Sequence, residues 1–395
     1  MRVLLVNKFY YLRGGDCTAV FAIEHLLRGK GHEVAVFSMQ YPDNLESDRE
    51  RYFPSAVDFS GSGISGKFAA FKRLFHDPEV ARKFKCLLAD FQPDVIHFHN
   101  IHSYLSPLVV EIAHQKGIRT VWTLHDYKLV CPTYTYLRNG EVCEACYKRK
   151  FHVVRHKCMK NSYPASILAY LEARYWNRGK LSHVTNTFIS PSRFLKTKMT
   201  EAGYPPEQIE VLPNFMLQKP AIEKEKGDYY CYVGRISFEK GIESLLKAAE
   251  KLPYPLKIIG GGPLLDDYRK KYSMNHIHFL GHLPQDMLYP VVGKARFLAL
   301  PSIWYENNPF SIIEALCMGT PVLGARIGGI PELITEGENG FLFTSGNETD
   351  LQEKINIFFS GDGRRFDYEK ISSEAYNKFS PDTFYNKLIN IYCQL

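Results

Sequence analysis

Pro301-Ser302-Ile303-Trp304-Tyr305-Glu306-Asn307-Asn308-Pro309-Phe310-Ser311-Ile312-Ile313-Glu314-Ala315-Leu316-Cys317-Met318-Gly319-Thr320-Pro321-Val322 is the stretch from which the rest of the chain can be read. It follows an apolar run, Phe297 to Leu300, that reads as a strand, and it leads into another, Pro321 to Ala325. Between them Asn308 reads as an N-cap and Pro309 as the first helical residue, where its missing N–H costs nothing. The amides of Phe310, Ser311 and Ile312 are then the open donors of a helix N-terminus, a site suited to phosphate. Glu306 lies just before that helix and Glu314 inside it, and carboxylates accept hydrogen bonds from sugar hydroxyls. A ligand carrying both phosphate and polyols, such as a nucleotide sugar, fits this pattern.

A second anion layout lies upstream. Tyr229 to Val233 reads as a strand, followed by Gly234-Arg235-Ile236-Ser237-Phe238-Glu239-Lys240-Gly241 and a helix from Ile242. Arg235 offers a planar fork and Lys240 a point charge for phosphate oxygens. The spacing is not that of the Gly-x4-Gly-Lys-Ser/Thr nucleotide loop, so an ATPase reading fails. The strand Leu256 to Ile259 runs into Gly260-Gly261-Gly262-Pro263, and the strand Ile277 to Leu280 into Gly281-His282-Leu283. Asn339 to Phe343 reads as a closing strand, and Asp350 to Phe359 and Pro381 to Tyr392 as helices.

The first half repeats the alternation. Val3 to Val6, His32 to Ser38, Asp94 to Asn100, Arg119 to Leu124, His183 to Ile189 and Ile209 to Leu212 read as strands. Asp16 to Lys30 and Tyr163 to Arg178 read as helices, and Ser192 as the cap of another. Strands alternating with helices define an α/β chain of doubly wound sheets, which bind ligands beyond the carboxyl ends of their strands. Gly14-Gly15 and His125-Asp126 both fall at such ends, with Asp126 a weak partner for orienting His125.

Bulk properties agree. A chain of 395 residues, 45% hydrophobic and 23% charged, has room for two ordinary domains. The net charge of +7 suits anionic ligands or an anionic membrane surface. No apolar run approaches the roughly 18 residues of a transmembrane helix, and the first residues lack the marks of a signal peptide. The expectation is a cytoplasmic protein, able to rest on the inner face of a membrane. Lys67, Lys72, Arg73, Arg82, Lys83 and Lys85, among aromatic residues, read either as solvated helix faces or as a basic surface for anionic lipid. Nine cysteines include Cys131, Cys143, Cys146 and Cys158, spaced x11, x2 and x11. Four thiols of this kind can close a structural Zn site or stay as free or redox-labile thiols; with no open position they leave no catalytic role for a metal.

Glu306-x7-Glu314 with Ala315 to Val322, Gly234-Arg235…Lys240-Gly241, Gly260-Gly261-Gly262-Pro263 and Thr123-Leu124-His125-Asp126-Tyr127 together resemble the signature of family-4 glycosyltransferases, which are retaining enzymes. The resemblance runs in order from Gly14 to Phe343 and is densest from Gly234 to Glu338. It implies the GT-B fold: two Rossmann-like doubly wound domains facing across a cleft, with a C-terminal helix crossing back to the first. The implied domains are 1–214 on the acceptor side with the cysteine-rich insertion 131–158, a linker at 215–228, a donor domain at 229–375, and the terminal helix at 376–395. It also implies roles. Arg235 and Lys240 hold the donor diphosphate, Glu306 the donor sugar, Glu314 the ribose, and His125 the transferred sugar. Gly14, Gly15, Gly234, Gly262, Pro263, His282, Leu283, Asn308, Pro309, Phe310, Ser311 and Ile312 line the donor. The family often has Asn-Gly where this chain has Asn214-Phe215.

The expected partners are a UDP- or GDP-sugar and a glycan or lipid-linked acceptor, with no nucleic acid. With no Asp-x-Asp motif, no catalytic cofactor is expected. Two other readings stay open at this point: a different GT-B nucleotide-sugar enzyme, such as an epimerase or phosphorylase, and a non-catalytic nucleotide-sugar-binding assembly subunit.

Overall fold

A computed structural model describes residues 1–57, 64–223, 225–360 and 366–394. In chain order these form β1 (Arg2–Val6), α1 (Gly15–Gly29), β2 (Glu33–Phe37), α2 (Ile64–Phe75), α3 (Pro78–Phe91), β3 (Val95–Phe98), α4 (Leu108–Gln115) and β4 (Arg119–Thr123). A hairpin, β5 (Leu137–Arg138) and β6 (Glu141–Val142), precedes α5 (His152–Arg155), α6 (Tyr163–Tyr175), α7 (Arg178–Val184), β7 (Thr187–Ser190), α8 (Arg193–Glu201) and β8 (Ile209–Val211). Then come β9 (Tyr230–Val233), α9 (Ile242–Glu250), β10 (Leu256–Ile259), α10 (Leu265–Lys271), β11 (Ile277–Gly281), α11 (Gln285–Lys294), β12 (Leu298–Leu300) and α12 (Phe310–Cys317). β13 (Val322–Ala325), β14 (Gly340–Phe343), α13 (Glu348–Phe359), α14 (Tyr368–Phe379) and α15 (Pro381–Cys393) complete the described chain.

The chain divides into two compact units. One holds Met1–Thr135, Glu144–Leu212 and Tyr385–Leu395; the other holds Tyr136–Cys143 and Pro213–Phe384. The β5–β6 hairpin, which falls inside the cysteine-rich insertion, therefore groups with the second unit. Residues 215–228, read as a linker, are packed where described. Phe215 stacks on Phe384 with ring centroids 4.2 Å apart, and the Lys226 ammonium donates to the carbonyl of Gly293 at 2.5 Å. A phenylalanine at 215 therefore has a packing reason.

Each unit is built on a six-stranded sheet whose recorded strand pairs are all parallel. The first has the order β2-β1-β3-β4-β7-β8 and the second β11-β10-β9-β12-β13-β14. The strands are short apolar runs buried on both faces, as parallel sheets covered by helices require. Both orders reverse direction once, between β1 and β3 and between β9 and β12. Loops leaving the carboxyl ends of strands at such a point diverge and leave a crevice between them.

Several helices start where a side chain meets the open amides. Asp77 caps α3, Ser162 α6, Ser192 α8 and Asn347 α13. The helix expected over 163–178 is two. α6 stops at Trp176, and Asn177 opens α7 by accepting from the Lys180 amide at 3.1 Å. The strand expected from His183 starts only at Thr187, because His183 and Val184 finish α7. The final helix has joined the first unit by Tyr392, whose hydroxyl lies 2.7 Å from Nδ1 of buried His97 on β3.

Candidate active site

In the second unit, the loops after β9 and β12 form the site. A single turn of 3₁₀ helix over Phe238–Lys240 ends at Gly241, which has φ +65°. A Cβ at Gly241 would lie 2.0 Å from the Pro301 carbonyl oxygen, so only glycine lets the two loops touch. The amide of Ile303 donates to the Glu239 carbonyl at 3.2 Å and ties them together. The result is an ion pair, Lys240 Nζ to Glu306 Oε1 at 2.7 Å, with Glu306 only 5% exposed. Ser302 Oγ donates to the same oxygen at 2.6 Å and Trp304 Nε1 at 2.9 Å. Burial alone would push the Glu306 carboxyl up; the Lys240 charge and these donors outweigh it and hold the carboxyl below its ordinary range. Gly328, at φ +60°, allows the backbone of Glu306 to pass close by, and the Gly329 amide donates to the Glu306 carbonyl at 2.7 Å.

α12 starts one residue later than expected. Pro309 is its N-cap, so Asn308 does not cap it. Asn308 instead clamps the chain at Asn214, whose backbone N–H donates to Asn308 Oδ1 and whose Nδ2 donates to the Asn308 carbonyl, both at 2.8 Å. The Ile312 amide turns back to the Pro309 carbonyl at 3.2 Å. Phe310 and Ser311 thus supply the leading amides of the helix, and Ile312 drops out of the expected trio.

Arg235 is exposed just past β9, where its guanidinium has no protein partner among the described residues. Gly234 adjoins it, and the Gly262-Pro263 turn borders the backbone of Ile236. His282 is exposed and Leu283 half-buried, directly after β11 and beside that turn. Glu314 sits on α12, where burial raises its carboxyl to about 7 and Tyr289 Oη donates to it at 3.4 Å.

That shift makes a stability prediction. The folded state holds the Glu314 proton more tightly than the unfolded chain does. The penalty is absent below about 4.5, the ordinary value, and grows as pH rises through about 7. Glu314→Gln should therefore stabilise the protein at pH 8, by at most about 3 kcal/mol, and leave it unchanged at pH 4.5. Urea melts at the two pH values check this; an equal gain at both would mean the carboxyl is not strained.

The first unit gathers its own cluster at the ends of β1, β3 and β4. Gly14 and Gly15 are exposed at the entrance of α1, and Gly14 is its N-cap. His125 Nε2 and His99 Nδ1 share a hydrogen bond of 3.0 Å. Burial holds the His125 imidazole down to about 4 and that of His97 to about 3, so both rings are neutral at pH 7. Asp16, hydrogen-bonded by Asn100 Nδ2 at 2.8 Å, carries the charge that faces His125. Asp126 does not orient His125: its Oδ1 accepts from the Lys128 amide at 2.8 Å and shapes the turn. Asp16, His99 and Asn100 were missed in sequence, as were Ser302, Trp304 and Tyr289. All but Tyr289 lie within four residues of a site residue already named or at a strand's carboxyl end.

Among the described residues no three His, Cys, Asp or Glu side chains are placed to hold a metal ion. Of the expected Zn set, Cys131 and Cys146 are buried, Cys143 and Cys158 are half-buried, and none of the four is in a disulfide. The charge of Lys150 lies within reach of Cys131 and Cys146. The basic lipid-facing surface is also reduced. Arg73 is buried on Asp77 at 3.0 Å, and Lys83 donates to the Phe53 carbonyl. The Lys67 side chain lies outside the described residues. No helix among the described residues is long and apolar enough to cross a membrane.

Comparison with known proteins accounts for this layout. The model of Glycosyltransferase Family 4 matches residues 14–216, just over half of the chain, and that of Glycosyl transferases group 1 matches residues 216–378. The chain belongs to the family-4, group 1 glycosyltransferases, with the GT-B fold. It is 26% identical over 359 residues to an uncharacterized 42.6 kDa protein in the cps region of Klebsiella pneumoniae, covering 84% of this chain and 87% of that one. It is 31% identical over 175 residues to the sulfoquinovosyl transferase of Arabidopsis thaliana, covering 42% of this chain and 34% of that one. Among solved structures, sucrose-phosphate synthase from Thermosynechococcus elongatus superposes with a TM-score of 0.69 at 17% identity, covering 99% and 98% of the two chains. The Anabaena protein HepE, solved with UDP and glucose, gives 0.68 at 17% identity over the whole of both.

Proposed function

We propose that this glycosyltransferase moves a sugar, with retention of configuration, from a nucleoside diphosphate sugar to an acceptor hydroxyl in the synthesis of a bacterial surface polysaccharide or lipid-linked glycan. The buried Lys240–Glu306 pair carries the reading. Arg235, Lys240 and the Phe310 and Ser311 amides present positive charge where a departing diphosphate gathers negative charge, stabilisation of the kind that lowers a barrier most. Glu306 keeps Oε2 for a donor sugar hydroxyl while Oε1 stays with Lys240, Ser302 and Trp304. Glu314 would take the ribose hydroxyls, and neutral His125 the transferred sugar. The Klebsiella relative from a cps region supports the polysaccharide setting, and the UDP in HepE supports a nucleotide-sugar donor.

A thermal-shift panel of UDP-, GDP- and ADP-sugars, each beside its free nucleotide, tests this. One base should raise the melting midpoint, since a ligand of the native state stabilises by its occupancy. Arg235→Ala should remove most of that shift. No shift from any nucleotide, with folded protein, would end the transferase reading.

A further inference from the structure

The first unit contains a cavity of about 340 Å³ that none of these roles uses. Lys128, Lys148, Lys150, Arg174 and Arg178 line it, against the single carboxylate of Glu172. Glu172 is already spent on Lys128, at 2.8 Å, and accepts from Ser103 Oγ at 2.8 Å. Four cations therefore remain uncompensated around one small volume.

Lys150 is the most telling of them. Its ammonium donates to the carbonyls of Val130 at 2.5 Å and Leu129 at 3.4 Å, and among the described residues no carboxylate pairs with it. Burial pushes it down to about 8, and the charge of Arg178 pushes the same way. Cys146 and Cys131 act in the opposite direction, and Lys150 and Arg178 both line the cavity. An anion entering beside Lys150 would supply the counter-charge that its two carbonyl partners do not. A recess walled by one sign of charge also concentrates counter-ions. Buried Trp176 and Tyr204 add aromatic wall, on which a sugar can rest.

The cavity adjoins the reacting end of the sheet. His102 lines it in the loop after β3, and Lys128 follows His125 by three residues. Burial holds His102 neutral, and the charges of Lys128 and Lys8 push it the same way. Tyr147, Lys148 and Lys150 come from the segment that the cysteine spacing marked as unusual.

We infer that this cavity is an oxyanion site that seats a phosphate-class group carried by the acceptor. The inference rests on the transferase reading for the word acceptor, but not for the binding itself. The group is either the phosphate of a phosphorylated glycan or the diphosphate joining a glycan to a lipid.

Calorimetric titration of the full chain, with its donor site first saturated by the nucleotide found in the thermal-shift panel, separates the cases. The probes are glucose 6-phosphate, farnesyl diphosphate and, as the uncharged control, glucose. At least one phosphorylated probe should bind where glucose does not. Lys150→Gln and Arg174→Gln should each weaken it about 10–100-fold, the worth of a hydrogen bond to a charged group. Arg174 is exposed and unpaired among the described residues, so its replacement keeps the test valid should Lys150→Gln fold poorly. Tighter binding of farnesyl diphosphate identifies a lipid-linked acceptor, and tighter binding of glucose 6-phosphate a phosphorylated glycan. Binding of neither, or equal binding in both variants, overturns the oxyanion site. If no nucleotide shifts the melting point, the titration is run without one; phosphate binding lost in the variants would then uphold the site while the transferase reading falls.

Discussion

Lys240→Ala should lower turnover about 10²–10³-fold, the usual cost of removing one donor from a site of developing charge. The same change should destabilise the second unit. It strands the Glu306 carboxylate, 5% exposed, with Ser302 and Trp304 but no counter-charge. Breaking a buried pair from one side costs about 3–5 kcal/mol. The two effects separate in the double variant Lys240→Ala with Glu306→Gln. A neutral amide in place of the carboxylate should restore much of the melting midpoint and none of the turnover. Steady-state kinetics and denaturant melts of the three proteins settle it. Near-normal turnover in Lys240→Ala would remove Lys240 from the mechanism. Recovery of turnover in the double variant would mean that neither charge acts in the mechanism and that Lys240→Ala fails through stability alone.

Gly241→Ala should be nearly as damaging without touching a charged group. The residue sits at φ +65°, which costs a residue with a Cβ about 1–2 kcal/mol. That Cβ would also fall 2.0 Å from the Pro301 carbonyl oxygen, so one of the two loops must move. The expected loss is at least about 3 kcal/mol, from strain and overpacking together. Activity should fall as well, because the loops that separate are those holding Lys240 and Glu306. Gly346→Ala is the control. Gly346 has φ +78° but nothing within 4 Å of the added Cβ, so only the backbone term of about 1–2 kcal/mol applies. If the two variants melt alike, the contact with Pro301 is not what Gly241 protects.

Much of the fold was legible because its signals are local. Buried parallel strands are short apolar runs, and glycine, proline and cap residues punctuate them, so strand after strand could be placed to within a few residues. The misreadings have local causes too. Ser and Asn caps at the front of helices are easy to see, but the break at Trp176-Asn177 interrupts an apolar pattern that continues across it. α14 (Tyr368–Phe379) was not read as an element of its own, although Asp367 caps it. The cysteine spacing suggested a tetrahedral set, but spacing constrains only loop length. Whether four thiols converge depends on the path of the chain between them, which spacing does not carry.

The sequence alone determined the family, the two-sheet architecture and the residue types at the strand ends, since these follow from periodicity and from motifs less than about ten residues long. Tertiary structure decided which of those residues meet. Lys240 and Glu306 are 66 positions apart, and Asn214 and Asn308 are 94 apart. Lys240 and Glu306 touch because the second sheet places β9 between β10 and β12, which makes the loops after β9 and β12 neighbours. That adjacency comes from burying whole strands between helices, a property of the packed chain that no short segment carries. So the sequence could assign Lys240 to a phosphate and Glu306 to a sugar, and only the fold could reveal that the two are one ion pair.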